Sequence, residues 1–459
     1  AAKHTRTHKM QSLRSRCTGT RPSISHNARP TVCRAAAAAP VAEVDPVSAP
    51  TGYEHAVLLQ GFGWDSSTKD NFYAKVKSHL GDMQETGITH VWLPPPSNSV
   101  SPQGYMPGQL YNLTSEYGTQ EELVDLLKCI KEKGMLPLAD IVINHRCADE
   151  KSHDGDDAVY NNFKDDVDHD GKRIDWDSWA ITGDDPNFQG TGNPDSGEDY
   201  GPAPDLDHHN KDLRAALVDW MRWLQRDIGF AGWRFDFVKG FAPEYTREYV
   251  EKTVGTSVLN VGEYWADLGY EDSNLSTNQD PARQLLADWV KASGIPLFDF
   301  TLKGVLQEAV KNTQYYRLKD AEGKAPGLAG WWPSKAVTFI SNHDTDSTQG
   351  HWPFPVEDLA MGNAYIITHP GIPCVFWDHF ENDDGIIKSL LALRKKHGIN
   401  SRSNLEILCA EDDMYVGRID NKLVLKLGPR HEVGEHTPAE AEGWTLAMSG
   451  KDYAIWEKA

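Results

Sequence analysis

Along residues 56–398, short apolar runs alternate with longer stretches in which apolar positions recur three and four apart. The runs fall at 57–60, 91–93, 136–142, 232–237, 259–263, 297–300, 337–340 and 374–377. Unbroken runs of this kind predict strands buried on both faces, as in a parallel sheet covered by helices. Between them, Leu213, Leu217, Trp220 and Leu224 mark the apolar face of a helix, with Arg214, Asp219, Arg222 and Arg226 on its other faces. Leu123, Leu126, Leu127 and Ile130 predict another, closed by Gly134. Leu285, Leu286, Trp289 and Val290 predict a third, and Leu302, Val305, Leu306 and Val310 a fourth. Eight strands with a helix after most of them predict an α/β fold, a (β/α)8 TIM barrel.

Two stretches break the alternation. Residues 145–205 are too long for an ordinary strand-to-helix loop and are rich in Asp, Gly and Asn, which predicts an inserted subdomain after strand three. After Gly398, short β-type segments separated by turn residues predict a small C-terminal antiparallel β domain over 399–459. The barrel is then expected over 51–144 and 206–398. Residues 1–50 read as a disordered leader, rich in Arg, Ser, Thr and Ala and free of acids until Glu43. The leader has no apolar run of secretory or membrane-spanning length. Its composition predicts an organellar transit peptide, with Val32-Cys33-Arg34-Ala35 as a processing site, and so a chloroplast location.

Barrel active sites gather at the C-terminal ends of the strands. Those ends carry Asn144 and His145 after strand three, Arg234 and Asp236 on strand four, Glu263 on strand five, and His343 and Asp344 after strand seven. Arg234 and Asp236 share one face of their strand, and burying both is costly unless they are paired or used. Glu263 sits among Val261, Gly262, Tyr264 and Trp265, a setting that raises a carboxyl pKa, whereas Arg234 is placed to hold Asp236 ionised. A carboxylate able to attack beside a carboxylic acid able to donate is the pair that retaining glycoside hydrolysis uses. A metal-dependent barrel hydrolase would need His145 and His343 as ligands, yet no further His or Asp cluster completes such a site.

Composition narrows the partners. The chain carries a net charge of −21, with eight of its 46 basic residues in the first 45 positions, so the body is the more acidic part. That argues against nucleic acid or an anionic membrane as the main partner and suits a neutral substrate with hard cations. The six cysteines show neither a disulfide framework nor zinc spacing. Fifteen tryptophans suit a large core, and also sugar binding, because a flat ring stacks on the apolar face of a pyranose.

Four blocks in order resemble the signature regions of the α-amylase family: Asp140-Ile141-Val142-Ile143-Asn144-His145, Gly232 through Gly240, Gly262-Glu263-Tyr264-Trp265, and Phe339-Ile340-Ser341-Asn342-His343-Asp344. Gln103-Gly104-Tyr105-Met106-Pro107-Gly108, Gly192-Asn193-Pro194-Asp195, Trp331-Trp332-Pro333 and the C-terminal Asp452-Tyr453-Ala454-Ile455-Trp456-Glu457-Lys458 are most similar to plant members. The resemblance implies Asp236 as nucleophile, Glu263 as general acid/base and Asp344 as transition-state stabiliser. It implies that Arg234 orients the nucleophile and that Tyr105, His145, Lys239, Trp265 and His343 contact substrate. Asp140 is implied to be structural, and Trp331 and Trp332 resemble a surface site for starch granules.

Calcium is the cofactor the resemblance implies. Asn144, Asp195, Asp205 and the Gly240 carbonyl match the family's ion between insertion and barrel, and Asp185 and Asp199 are candidates for a second ion beside Asp205, with ordinary solvated loop acids as the alternative for both sets. Oxygen-only ligation from distant loops is hard-cation chemistry. Separately, Asp166-Val167-Asp168-His169-Asp170-Gly171, with Asp177 closing twelve residues, follows a calcium-loop spacing but lacks the usual final Glu, and reads equally as an acidic turn. The activity expected is retaining endo-hydrolysis of α-1,4-glucosidic bonds in starch by a monomer. An α-glucan transglycosylase, a debranching relative and a non-catalytic starch-binding protein are the alternatives.

Overall fold

The computed structural model describes residues 51–164, 166–346 and 348–459. The leader, with Cys17 and Cys33, lies outside the described residues. Eight parallel strands close into a barrel: β1 (Leu58–Gln60), β2 (His90–Leu93), β3 (Leu136–Ile141), β4 (Gly232–Phe235), β5 (Val261–Gly262), β6 (Leu297–Phe298), β7 (Ala336–Thr338) and β8 (Ile372–Phe376). Each strand pairs with its sequence neighbours and β8 returns to β1, so no edge remains open. All eight predicted runs form these strands. Nearly every strand residue is buried, which is why the runs read as unbroken apolar text.

The helical segments are α1 (Phe72–Ser78), α2 (Leu80–Thr86), α3 (Gln120–Glu132), α4 (Lys211–Trp223), α5 (Pro243–Lys252), α6 (Asp280–Ser293), α7 (Phe300–Lys311), α8 (Gly327–Trp331), α9 (Leu359–Thr368), α10 (Trp377–Glu381) and α11 (Ile386–His397). Helix α3 starts in a capping box, Thr119 accepting from the Glu122 amide while Glu122 accepts from the Thr119 amide. Asn210 caps α4 through its side-chain oxygen. The expected apolar faces of α3, α4 and α7 are buried. Leu285 is a correction: it is half-exposed, one position off the buried face of α6 carried by Leu286, Trp289 and Val290.

The inserted segment leaves at His145 and returns at Asp205, which form a β-bridge with each other. Its core is the buried Arg146–Asp166 ion pair at 3.0 Å, with the guanidinium over Phe163 and Trp176. Asp166 also accepts from the Leu110 amide, and Asp168 Oδ1 accepts from the amides of Asp170 and Lys172. Asp177 caps the turn at Trp179. The acids of this stretch thus take part in an ion pair and in turn caps.

After α11 come five antiparallel strands, β9 (Leu405–Ala410), β10 (Tyr415–Ile419), β11 (Leu423–Leu427), β12 (Trp444–Gly450) and β13 (Tyr453–Lys458), in the order β9-β10-β11-β13-β12. The sheet packs on the barrel through His369, whose Nε2 lies 2.8 Å from the Tyr415 hydroxyl. Arg394 on α11 is buried and donates to the carbonyls of Ile367, His369 and Gly371. Among the described residues no helix is long and apolar enough to cross a membrane, and Cys129, Cys147, Cys374 and Cys409 are free thiols.

Candidate active site

The pairing of β3 with β4 sets Asp140 beside Arg234, and that of β4 with β5 sets Phe235 beside Gly262. The next residue on each of the latter strands is a carboxylate, Asp236 and Glu263. Arg234, fully buried, reaches three acids at once: Nη1 donates to Asp140 at 2.7 Å and to Asp236 at 2.8 Å, and Nη2 lies 2.7 Å from Glu263. The guanidinium also lies over the Trp92 ring at 4.7 Å. A buried arginine is stable here because carboxylates surround it, and their charges hold its pKa well above the ordinary value.

The acids differ in what surrounds them. Burial, reinforced by the charges of Asp236 and Asp344, pushes Glu263 up to about 7. Asp236 is also raised by burial, but Arg234 and a hydrogen bond from Glu263 pull it back. Asp344, on the loop after β7, is raised by burial against the pull of Arg234 and His351. Asp140 accepts from Trp92 Nε1, the Tyr105 hydroxyl and Arg234, an acceptor role that holds it as a carboxylate although burial pushes it up. It thus anchors both the arginine and Tyr105.

Asp236, Glu263 and Asp344 face a cleft of about 550 Å³ at the C-terminal end of the barrel, the position where barrel enzymes place their chemistry, while Asp140 lies buried beneath it. Of the five residues expected to contact substrate, Tyr105, Lys239, Trp265 and His343 line it, whereas His145 is buried behind the lining. His343 Nδ1 lies 3.0 Å from Gln60 Nε2, so its Nε2 faces Asp344 at 3.3 Å, and burial pushes the imidazole down to about 3, leaving it neutral. His145 is held by the Tyr105 carbonyl at 2.9 Å and stacks on Tyr200 at 3.8 Å. Lys239 pairs with Glu198 at 3.2 Å. Trp331 and Trp332 are half-buried outside the cleft, with Arg283 over Trp331 at 4.2 Å.

Trp64 and Tyr200 also line the cleft and were not singled out from sequence. Trp64 stacks near Tyr105 and His343. It follows β1 directly in Gly61-Phe62-Gly63-Trp64, so reading that strand end as the others were read would have found it. Tyr200 lies in the irregular insertion, where no periodicity marks it.

Asp236 is followed by a backbone reversal. Phe237 has φ 42° and ψ 52°, a left-handed conformation costly for an aromatic residue. It turns the Phe237 amide toward Glu263 Oε2 at 3.4 Å and the Val238 amide onto the Glu263 carbonyl at 3.1 Å. The same reversal delivers Gly240 to Asn144. A Cβ at Gly240 would collide with the Asn144 amide oxygen, and one at Gly197 with the Gly240 backbone.

Asp195, Asp199 and Asp205 cluster beside this crossing, with one carboxylate oxygen from each within 4.8 Å of the others. Asn144 donates to Asp205 at 2.9 Å, while its own Oδ1, and Asp195 Oδ2, are buried without a hydrogen-bond partner. Burial and the neighbouring acids push Asp205 up to about 8. Partnerless buried oxygens on acids short of positive charge form a donor set that fits a hard cation. Asp185 stands outside this trio: its oxygens accept from the amides of Asn187, Phe188 and Asp205.

A closed (β/α)8 barrel with three carboxylates around one arginine and an aromatic-lined cleft is the architecture of a glycoside hydrolase. The chain belongs to the α-amylase family. Residues 73–322 match the family model of the α-amylase catalytic domain, and residues 396–457 that of the α-amylase C-terminal β-sheet domain. A chloroplastic α-amylase of Arabidopsis thaliana, alpha-amylase 3, is 42% identical over 414 residues, which are 90% of this chain and 45% of that one. The protein named "Probable alpha-amylase 2" from the same plant is 42% identical over 409 residues, 88% of this chain and 94% of that one. The chain thus spans less than half the length of the first relative and nearly all of the second. Among solved structures, an Anoxybacillus α-amylase superposes with a TM-score of 0.59 at 18% identity, covering 90% of this chain and 99% of that one, a likeness of fold.

Proposed function

We propose that this protein is a retaining endo-hydrolase of α-1,4-glucosidic bonds in starch and related α-glucans. The observation that carries the reading is that Asp236 and Glu263 share the one buried Arg234, at 2.8 and 2.7 Å, with Arg234 and a hydrogen bond from Glu263 opposing the rise of Asp236 while burial raises Glu263 to about 7. Glu263 is then the acid that protonates the glycosidic oxygen, and Asp236 the nucleophile that attacks the anomeric carbon. Water, giving its proton to the now ionised Glu263, then attacks the anomeric carbon and breaks its bond to Asp236, which restores both carboxyls. Asp344 and neutral His343 bind sugar hydroxyls as charge develops on the ring. Tyr105 lies flat against His343 as a stacking platform, Lys239 and Trp265 hold neighbouring sugars, and His145 supports Tyr105 and Tyr200 from behind. Trp331 and Trp332 serve as a separate starch contact.

The test is incubation of the protein with soluble starch and with a linear maltooligosaccharide, followed by product sizing. Internal cuts giving a spread of short products support the reading. Products longer than the starting chain would assign it to transfer instead, and binding without cleavage to a lectin-like role.

The pH dependence follows from the two carboxyls. Glu263 must be protonated, so activity is expected to fall as pH rises through about 7. Asp236 must be ionised, and its raised pKa places the acid limb above the ordinary aspartate range. A kcat/KM profile over pH 3–9 checks both limbs, and a flat profile through pH 7 would contradict the acid assignment.

Asn144, Asp195, Asp205 and the Gly240 carbonyl are the residues that would hold calcium, with Asp199 beside them. The ion supplies charge that neutralises the acids and ties the insertion to the strand carrying Asp236. Binding at ~100–1,000-fold over Kd stabilises a fold by about 3–4 kcal/mol. A chelator is therefore expected to lower Tm and activity together, with recovery on adding calcium. An unchanged Tm in chelator would refute the site. The similarity to a chloroplastic relative, joined to the basic, acid-poor leader, supports a plastid location, which a fluorescent fusion of the leader tests.

A further inference from the structure

Helix α7 carries a polar pair where its neighbours are apolar. Lys303 and Gln307 are both buried, and at four residues apart they share one face of the helix. Lys303 Nζ donates to the Gln307 side-chain oxygen and, at 2.8 Å, to the Trp352 carbonyl. Gln307 Nε2 donates to the Pro353 carbonyl, also at 2.8 Å. Two successive carbonyls of one loop are thus gripped by two adjacent turns of one helix.

Between the two grips lies Gly304. A Cβ there would collide with a methyl carbon of Leu268 and stand 2.7 Å from a ring carbon of Trp352, so both side chains lie against bare helix backbone. The Lys303 ammonium lies over the same ring at 4.0 Å. Burial pushes this ammonium down to about 7, against the pull of Asp346. A leucine at position 303 would fill the helix face without that desolvation cost, so packing alone does not account for a lysine.

The gripped residues close the loop that begins at Asp344. The Trp352 amide donates to the Thr345 carbonyl at 3.1 Å, and the His351 amide to the Asp344 carbonyl at 3.3 Å. The Trp352 ring lies 6.3 Å from Trp265 and inclined to it by 19°. Trp265 in turn stacks at 4.8 Å on Phe300, the first residue of α7. One helix therefore supports both the base of the Asp344 loop and the aromatic wall of the cleft.

We propose that Lys303, Gly304 and Gln307 form a positioning clamp that fixes where Asp344 and the Trp265–Trp352 wall stand relative to Asp236 and Glu263. None of the three touches substrate; they act through the loop. The inference rests on the reading of Asp344 and Trp265 as glucan contacts. A displacement of about 1 Å at such contacts costs on the order of 100-fold in rate.

The test compares Lys303→Met, Gln307→Leu and Gly304→Ala with the wild type. kcat, KM and product lengths are measured on a seven-glucose linear maltooligosaccharide, well below each variant's Tm. The clamp predicts that each variant loses at least tenfold in kcat and shifts its product lengths, including Gly304→Ala, which keeps both donors and displaces Leu268 and Trp352. A fall in Tm with kcat, KM and products unchanged would overturn it and leave the three as core residues. Should Lys303→Met fail to fold, Gln307→Leu and Gly304→Ala decide by the same criteria. A wild type that binds the oligosaccharide without cutting it would overturn the hydrolase reading instead. The clamp would then be judged by Kd, supported by a fivefold or greater weakening in the variants and overturned by unchanged affinity.

Discussion

Replacing Glu263 by Gln is expected to lower kcat on soluble starch by about 10²–10⁴-fold, the range that general acid–base catalysis supplies. The amide keeps the size and hydrogen-bonding reach of the carboxyl, so the cleft and its starch affinity should persist. What disappears is the proton that Glu263 holds near neutrality. That proton exists because the carboxyl is buried and faces Asp236 and Asp344, whose charges disfavour its ionisation. The variant should also lose the fall in rate near pH 7, because the group that titrates there has gone. Rates measured with isothermal titration of a maltooligosaccharide separate the two effects. A variant that keeps its turnover would remove Glu263 from the mechanism, whatever its position.

Arg234→Met should be the most destructive substitution for the fold and the site together. Removing one partner of a buried ion pair typically costs about 3–5 kcal/mol, and here the cation serves Asp140, Asp236 and Glu263 at once. The acids left behind respond by taking up protons. Asp236, already raised by burial, should rise further once its cation is gone, so whatever activity survives should need a higher pH to appear. Tyr105 should loosen as well, because its hydroxyl is held by the same Asp140 that the arginine anchors. Urea denaturation measures the stability loss and the acid limb of kcat/KM measures the shift. Arg234→Lys keeps the charge without the fork, and should fall between wild type and Arg234→Met. Unchanged stability in Arg234→Met would contradict the account of this centre.

The barrel was legible in the sequence because its strands are buried on both faces, which leaves unbroken apolar runs. The lengths of those strands were less so. The run at 259–263 supplies only Val261–Gly262 as strand, because the Asn260 side chain, rather than backbone, accepts from the Trp233 amide. The convergence of Asp236, Glu263 and His343 on one cleft followed from strand ends alone, since a barrel brings those ends together wherever they stand in the chain. Irregular segments gave no such guide. Asp166 had the spacing of a metal ligand, but Arg146 behind it turned the carboxylate inward. Tyr200 reaches His145 through the insertion, a contact that no local pattern encodes. The burial of Lys303 depends on a loop arriving 49 positions later, which no local pattern marks.

The central claim is that Asp236 attacks while Glu263 supplies the proton, two displacements that together preserve the anomeric configuration. Proton NMR of the wild-type enzyme acting on a linear maltooligosaccharide, recorded in the first minutes before mutarotation, tests this directly. The account predicts that new reducing ends appear as the α-anomer and drift afterwards toward the equilibrium mixture. New ends that appear first as the β-anomer would contradict it, because a single displacement by water would then be the chemistry of this site.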